Sequence, residues 1–350
     1  MLQDSHVITN VQNGVAWIQL NRPKAINVLN AEMVEEIDHK LKEWKDNDNI
    51  ALICIYGSGD KGFCAGGDMK DLYECRDIDV KDRAYRFFSK EYAMDLDIHT
   101  YPKPVLVYMD GIIMGGGVGV AIGGSYRLVT ERTKWAMPET SIGFYPDVGA
   151  SYFLNKLPGQ IGLYLGLTGS VIGAASVLYA EVADAYIESG KWDDLMNAIQ
   201  KHNWSTSTVD SDIKSVLNKH TSQVPDGSSL AVLQTKIDEH FSYHTVEQIM
   251  ESLGKAAREE GDEWAKKTLH VLMSKSPIAL KITLKQLVTS QALSLNDCFT
   301  KELKLSMSMM RNDDFYEGVR SVLVDKDHHP KWEPNTLEDV TDERIQSFMN

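Results

Sequence analysis

The chain lacks several features that would place it in a specialised class of protein. It has only four cysteines in 350 residues, and neither these nor the ten histidines show the spacing of a metal site. So few cysteines also argue against a disulfide framework and favour a reducing compartment. No apolar run approaches the length of a membrane span. The sequence therefore predicts no metal, no disulfide framework and no membrane insertion.

Basic residues are also few, since 36 lysines and arginines face 50 aspartates and glutamates. The formal net charge of −14 argues against nucleic acid as a partner, because phosphate binding needs a basic face. The N-terminal stretch MLQDSHVITNV has no basic, apolar or arginine-rich targeting pattern, and we predict a cytoplasmic protein. Hydrophobic content of 43% and charged content of 25% are ordinary for a globular enzyme.

What the chain does have is two glycine-rich segments that each follow an apolar, strand-like run. Gly62-Phe-Cys-Ala-Gly-Gly-Asp68 follows the run 50–56 and precedes the first turn of a predicted helix. Gly115-Gly-Gly117 occupies the same kind of position further along the chain. Glycines at a strand-to-helix turn bring backbone N–H groups close to a ligand, and two such turns can supply two donors to one oxyanion. Either turn taken alone is explained as well by the geometry of an α/β fold.

Two carboxylates, Glu139 and Asp147, lie eight residues apart in an otherwise apolar segment. Such a pair is typical of acid/base or nucleophilic catalysis. The structural alternatives are a first-turn carboxylate favoured by the helix dipole for Glu139 and a turn-forming residue after Pro146 for Asp147. Glu91 lies on a predicted helix over 80–98, where a solvated helix face is an equal alternative to a ligand contact.

Strands alternate with helices over the first two-fifths of the chain, and helical patterns dominate after about Gly190. This order favours parallel strands with right-handed crossovers. The methionine cluster at 307–310 is interpreted as core packing rather than as a cofactor site. The periodicity predicts strands at 7–9, 15–20 and 50–56, and helices at 80–98, 161–167, 246–253, 263–273, 281–293 and 298–310.

Taken together, the motifs resemble the crotonase (enoyl-CoA hydratase/isomerase) superfamily, and their order and spacing make the resemblance specific. It implies an α/β fold with a crotonase-like ββα spiral core over 1–200 and a helical C-terminal region over 201–350 that caps the core and completes an acyl-CoA site. Two longer stretches, MPETSIGFYPDVGASYFL and DFYEGVRSVLVDKDHHPKW, together with Glu91, are similar to its 3-hydroxyisobutyryl-CoA hydrolase branch. The matching pieces are Asn21-Arg-Pro-Lys-Ala-Ile-Asn27, Gly62 to Asp68, Lys103-Pro-Val through Gly111, Gly115-Gly-Gly117, Met137-Pro-Glu-Thr140 and Ser276-Pro-Ile-Ala-Leu-Lys281.

The resemblance also implies roles for individual residues. The N–H groups of Gly67 and Gly116 match the family's oxyanion hole, Glu139 its main catalytic carboxylate, and Asp147 a second one. Glu91 matches a carboxylate that contacts the substrate. CoA is then part of the substrate rather than a retained cofactor, and no metal is implied. Lys24, Ala25, Ile26 and Lys70 match the strip that holds CoA, although each lysine by itself is an ordinary exposed residue, and Lys326, between two aspartates, is a weaker phosphate contact.

One departure from the family pattern bears on the reaction. Matching enoyl-CoA hydratases carry a second glutamate two residues after the triple glycine, where this chain has Gly119. Hydrolysis of an acyl-CoA thioester therefore fits better than hydration of a double bond. The similarity to the hydrolase branch implies a short branched 3-hydroxyacyl-CoA substrate, namely 3-hydroxyisobutyryl-CoA in valine breakdown. Two alternatives stay open: an enoyl-CoA hydratase or isomerase with an atypical carboxylate set, and a catalytically silent binding module. Superfamily members often form trimers, so a homo-oligomer is a further expectation, against which the long C-terminal region argues.

Overall fold

The computed structural model describes residues 5–76 and 80–349. The first four residues of MLQDSHVITNV, on which the targeting prediction depends, lie outside the described residues. Within it, the strands are short and all of them precede residue 187. They are β1 (Val7–Gln12), β2 (Val15–Leu20), β3 (Leu52–Gly57), β4 (Gly62–Cys64), β5 (Val105–Met109), β6 (Ile112–Met114), β7 (Tyr126–Val129), β8 (Lys134–Ala136) and β9 (Ala185–Tyr186).

The strands form two sheets that the chain visits alternately. The larger sheet has the order β1-β2-β3-β5-β7-β9, and the smaller one has the order β4-β6-β8. Strands β1 and β2 form an antiparallel hairpin through Asn13 and Gly14, and every further pair in the larger sheet is parallel. From β3 to β8, each turn of the chain thus adds one strand to the larger sheet and one to the smaller sheet before a helix follows. This is the predicted ββα spiral, and the fold class is confirmed.

The helices take up most of the remaining chain. They are α1 (Ala31–Lys45), α2 (Met69–Glu74), α3 (Val80–His99), α4 (Gly116–Ile122), α5 (Ala150–Phe153), α6 (Ile161–Thr168), α7 (Ala174–Tyr179), α8 (Trp192–Lys201), α9 (Val209–His220), α10 (Ser229–His240), α11 (Val246–Lys255), α12 (Glu263–Met273), α13 (Pro277–Ser290), α14 (Leu295–Met309), α15 (Asp313–Val319) and α16 (Asp342–Met349).

Most predicted elements are present, with boundaries that differ by a few residues. Helix α13 begins at Pro277, four residues before its predicted start, because Ser276 caps it by accepting a hydrogen bond from the backbone N–H of Ala279. Helix α14 likewise begins earlier than predicted, at Leu295, with Ser294 as its cap. Helices α8, α9 and α10 were not individually predicted, and polar stretches between 202 and 229 separate them along the chain.

The chain divides into two compact units that alternate along the sequence. The first comprises 1–67, 89–135 and 171–231, and the second comprises 68–88, 136–170 and 232–350. In the first unit the central strands of the larger sheet are buried, and α8 and α9 pack on them through Leu195, Ile199 and Ile213. This division follows spatial compactness. The predicted boundary at residue 200 separates a strand-containing region from a helical one, and it stays a prediction.

Candidate active site

The two glycine-rich turns bring Gly67 and Gly116 together within the first unit. Gly67 follows β4 and pairs with Leu29 in a short parallel bridge, and Gly116 is the first residue of α4. A Cβ built on Gly116 would stand 3.0 Å from the backbone nitrogen of Gly67. The turn before it depends on Gly115, whose φ of 51° and ψ of −123° are accessible to glycine. Because first-turn N–H groups have no partner inside their own helix, the Gly116 N–H is available as a donor.

Glu91 is the third member of this group. The same added Cβ on Gly116 would collide with the Oε1 atom of Glu91, so the carboxylate lies directly beside the glycine pair. Glu91 is 1% exposed, and the alternative of a solvated helix face therefore does not apply. The structure thus brings together two backbone N–H groups and one carboxylate that are separated by up to 49 positions in the sequence.

Asp95 is a buried carboxylate that the sequence analysis missed. It lies one helical turn after Glu91 on α3 and is fully buried. Burial raises the pKa of the neighbouring Cys64 thiol to about 12, and the charges of Glu91 and Asp95 act in the same direction, against a hydrogen bond to Gly66 that lowers it. Cys64 is therefore a protonated, inert thiol beside two carboxylates. The i, i+4 spacing of Glu91 and Asp95 was the available signal.

The strip Lys24-Ala25-Ile26 lies along the first glycine-rich turn. Residues Pro23–Ala25 form a 3₁₀ turn, and the carbonyl of Ile26 accepts a hydrogen bond of 3.0 Å from the backbone N–H of Ala65. The side chain of Lys24 is exposed. The structure therefore places the predicted CoA-holding strip beside the segment that carries Gly67. Its contact with CoA stays a prediction.

Asn27, the last residue of that motif, fixes this arrangement and was not singled out from the sequence. Its fully buried Nδ2 donates to the carbonyls of Ser58 at 2.9 Å and of Gly62 and Phe63 at 3.1 Å. Its Oδ1 accepts from the backbone N–H of Arg22 at 2.9 Å. One amide thereby ties the Lys24 strip to the turn before β4 and to β4 itself.

Glu139 and Asp147 both belong to the second unit and are buried, at 6% and 5% exposure. Glu139 begins a 3₁₀ turn, Glu139–Ile142, and its carbonyl accepts from the backbone N–H of Phe144 at 3.1 Å. The carbonyl of Asp147 accepts from the backbone N–H of Ala150 at 2.9 Å as α5 begins. Burial of both carboxylates argues against the interpretation that they only initiate a turn or a helix at the surface.

The segment between these carboxylates is held by aromatic packing. The ring of Phe144 stacks on Phe88 with centroids 5.7 Å apart and on Tyr145 at 4.8 Å, and it meets Phe315 edge-on at 5.7 Å. The interior of a protein is close-packed, so this cluster restricts the backbone on which Glu139 and Asp147 lie.

The two stretches similar to the hydrolase branch pack against each other. A Cβ on Gly143, which has a φ of 66°, would collide with the carbonyl of Asp314, and one on Gly318 would collide with the backbone of Ile142. Only glycine permits this approach. Asp314 also accepts hydrogen bonds from the Ser276 hydroxyl at 2.5 Å and the Glu333 backbone N–H at 2.9 Å. The C-terminal motif is therefore a structural support for the segment that carries the carboxylates.

Glu302 is a further buried carboxylate that the sequence analysis did not identify. It lies on α14, is fully buried, and accepts hydrogen bonds from residues just after Asp147. Burial raises the pKa of Glu302 to about 7, which its hydrogen bonds to Gly149 and Ser151 oppose and the nearby charge of Asp147 reinforces. No pattern in the sequence distinguishes it from the exposed charges of the same helix.

The two lysines predicted to contact CoA outside the first unit are exposed. Lys70 is on α2, and Lys326 follows α15 in a loop where its φ is 58°. The aspartates on either side of Lys326 both bind Arg320, at 2.7 Å for Asp325 and 2.6 Å for Asp327. Their charges are therefore balanced by an arginine. Contact of these two lysines with CoA stays a prediction.

Among the described residues, no three histidine, cysteine or acidic side chains are grouped in a way that could hold a metal ion. Within residues 5–76 and 80–349, no helix combines the length and the apolar character needed to cross a bilayer.

Comparison with known families identifies the class of protein. Residues 15–349 match the model of the family described as enoyl-CoA hydratase/isomerase. The match covers almost the whole chain, and the chain belongs to this family.

Two curated relatives that cover nearly the whole chain share one name. The protein named "3-hydroxyisobutyryl-CoA hydrolase, mitochondrial" from Gallus gallus is 40% identical over 346 residues, which cover 97% of this chain and 88% of the relative. The protein of the same name from Homo sapiens is 40% identical over 340 residues, covering 95% of this chain and 85% of the relative.

Solved structures confirm the fold. A carnitinyl-CoA dehydratase from Mycobacterium thermoresistibile superposes with a TM-score of 0.91 at 36% identity, covering 99% of this chain and 97% of the other. An enoyl-CoA hydratase from Rhodobacter sphaeroides 2.4.1 superposes with a TM-score of 0.88 at 31% identity over the same shares. These two structures are named as a dehydratase and a hydratase, whereas the two curated relatives are named as hydrolases.

Proposed function

We propose that this protein hydrolyses 3-hydroxyisobutyryl-CoA, a short branched 3-hydroxyacyl thioester, to 3-hydroxyisobutyrate and CoA. One observation carries the proposal: the Glu91 carboxylate lies beside the Gly67 and Gly116 N–H groups, while the position two residues after the triple glycine holds Gly119. The site has donors for a carbonyl oxygen and a buried carboxylate for a substrate hydroxyl, but lacks the second glutamate of a hydratase. The hydrolase name of relatives 40% identical over nearly the whole chain supports the same reaction.

The chemistry follows from these groups. The N–H groups of Gly67 and Gly116 stabilise the negative charge that develops on the thioester oxygen when the carbonyl carbon is attacked. Water supplies a hydroxyl to that carbon, the C–S bond breaks, and the CoA thiolate takes up the remaining proton. Glu139 and Asp147 act in one of two ways. Either they are general bases that take a proton from the attacking water, or one of them attacks the carbonyl carbon and forms an acyl-carboxylate anhydride that water then hydrolyses. Glu91 accepts the hydrogen bond of the substrate 3-hydroxyl.

CoA is held as part of the substrate and no further cofactor takes part. Lys24, Ala25 and Ile26 provide a backbone strip for the nucleotide and pantetheine arm, and Lys70 contacts the adenine region. Lys24 and Lys70 are exposed, as groups that meet a solvated nucleotide must be. These binding roles rest on the family resemblance.

A second candidate, enoyl-CoA hydratase or dehydratase, is favoured by the names of the two solved structures above. Water addition to a double bond needs one group that activates water and one that protonates carbon. Glu139 and Asp147 are the carboxylates that could share these tasks. The alternative therefore differs from the main proposal in the substrate atom attacked.

The deciding experiment offers the purified protein a panel of short acyl-CoA substrates. Release of free thiol from 3-hydroxyisobutyryl-CoA, with little loss of enoyl absorbance from crotonyl-CoA, is the expected result. Rapid hydration of crotonyl-CoA without thiol release would replace the hydrolase by the second candidate. Activity on neither substrate class would favour a silent binding module.

The proposed hydrolysis of 3-hydroxyisobutyryl-CoA is a step of valine degradation. The relatives' names include the word mitochondrial, so the cytoplasmic prediction is not confirmed, and cell fractionation with an antibody against the chain tests it. Homo-oligomer formation and the absence of nucleic-acid and membrane partners stay predictions, for which sedimentation and binding assays are the tests.

A further inference from the structure

Glu302 makes an unusual set of contacts for a fully buried carboxylate. Its Oε2 accepts from the backbone N–H of Gly149 at 2.7 Å, and its Oε1 accepts from the backbone N–H of Ser151 at 2.9 Å and the Ser151 hydroxyl at 2.6 Å. The side-chain amide of Gln286 donates to Oε1 at 3.2 Å. Four donors thus converge on one side chain. Because burying a carboxylate is costly, a position that keeps one requires an explanation.

The backbone that Glu302 holds is the backbone that follows Asp147. Val148 has a φ of 51° and Gly149 a φ of 87°, so two consecutive residues are left-handed immediately after the carboxylate. For a β-branched residue such as Val148 this conformation is strained, and it persists only where the surroundings impose it. The hydrogen bonds of Glu302 to the N–H groups of Gly149 and Ser151 are such an imposed restraint.

Helix α14 also holds the segment on the other side of Asp147. The hydroxyl of Tyr145 donates to the backbone carbonyl of Glu302 at 2.8 Å and lies 2.6 Å from the Ser306 hydroxyl. Asp147 is therefore flanked by one anchor two residues before it and by others two and four residues after it. All of these anchors lie in one unit of the structure.

We infer that Glu302 is a positioning residue, which fixes the strained turn at Val148 and so sets the direction of the Asp147 carboxylate. The inference rests on the proposed function, in which Asp147 takes part in hydrolysis. Glu302 itself touches no reacting atom. A misplacement on the order of 1 Å at a catalytic group can lower the rate about 100-fold, so loss of this clamp should lower kcat rather than substrate affinity.

The test compares Glu302→Gln with the wild-type protein, using the exposed Glu263→Gln on α12 as a matched control. Thiol release from 3-hydroxyisobutyryl-CoA should show kcat lowered about 10- to 100-fold in Glu302→Gln, with KM within about twofold and no change in Glu263→Gln. In an Asp147→Asn background, the Glu302→Gln change should cost little more, because both act through one group. A merely structural role would cost the same in both backgrounds.

Hydrogen exchange measured by mass spectrometry tests the clamp independently of activity. Amides of residues 148–152 should exchange at least about tenfold faster in Glu302→Gln, with the rest of the chain unchanged. If the wild-type protein releases no thiol, the proposed function fails. Hydrogen exchange then still shows whether Glu302 restrains the backbone at 148–152. If Glu302→Gln does not fold, Ser151→Ala serves as the test variant, because it removes one of the donors to Glu302. This variant should show a several-fold loss of kcat at unchanged KM. Wild-type kcat or unchanged exchange in the deciding variant would overturn the inference.

Discussion

The Oε1 atom of Glu91 lies against Gly116, in the space that a Cβ on that residue would occupy. The same missing Cβ would stand 3.0 Å from the backbone nitrogen of Gly67. The absence of a side chain at one position therefore gives access to a carboxylate and to a hydrogen-bond donor at once. The triple glycine is therefore needed for access to the site, in addition to the tight turn that it forms.

Gly116→Ala should inactivate the enzyme without unfolding it. The variant keeps its N–H, and the helical backbone at this position accepts alanine, but the new methyl group would displace Glu91 and obstruct both donors. Loss of an oxyanion contact typically costs about 10²–10³ in kcat, and a loss of this size is expected in thiol release. Gly190→Ala is the matched control, because a Cβ there meets nothing within 4 Å. Wild-type kcat in a folded Gly116→Ala protein would remove Gly116 from the site.

Glu139→Gln and Asp147→Asn should each lower thioester hydrolysis by orders of magnitude, while the thermal melt stays close to that of the wild type. Both carboxylates are buried in one segment held by the Phe144 cluster, so amide substitutions preserve the packing. If the two act as a unit, the double variant should be little worse than the worse single variant. Fully additive losses would show independent roles, and near-normal turnover in Glu139→Gln would exclude that residue from the mechanism.

Asn27→Asp should destabilise the protein by several kcal/mol. The substitution replaces a donor amide by an acceptor carboxylate opposite the three carbonyls of Ser58, Gly62 and Phe63, and each buried group left without its partner costs about 1–3 kcal/mol. Chemical denaturation gives the free energy of unfolding. Asn13→Asp is the control, since Asn13 is also left-handed but exposed, with one bond to Gln200. Similar losses in the free energy of unfolding at both positions would mean that the buried hydrogen bonds of Asn27 do not stabilise the fold more than the exposed one of Asn13.

Glu302 should make stability depend on pH in a defined direction. Its pKa is raised from 4.5 to about 7 in the folded protein, so between these values the folded state binds more protons than the unfolded state. The free energy of unfolding should therefore fall as pH rises through this window, by up to about 1.4 kcal/mol per pH unit. Glu302→Gln should lose this slope in denaturation series from pH 4.5 to 7. The groups that face Glu302 and stay in both proteins are Asp147, Ser151, Gln286, Cys298 and Lys301.

Local patterns predicted alternating strands and helices, glycine-rich turns and a pair of carboxylates, and the family resemblance of these motifs added the ββα spiral fold. Apolar runs such as 50–56 predict buried strands, and glycine-rich turns that follow them predict backbone donors, because both depend on residues adjacent in sequence. Glu139 and Asp147 stand out in this way, whereas Gly67, Gly116 and Glu91 were named from the resemblance to the family. The boundaries of α13 and α14 could not be placed as well, because a capping serine decides where a helix begins.

The sequence by itself determined the alternation of strands and helices, the family and the residues that bear its motifs. Only the tertiary structure decided which of these residues meet. That Glu91 adjoins Gly116, that Asp314 supports Gly143, and that Glu302 holds the turn after Asp147 all depend on elements far apart in the chain. The physical reason is that a carboxylate acquires its role from burial and from the donors around it, and close packing between distant elements creates both.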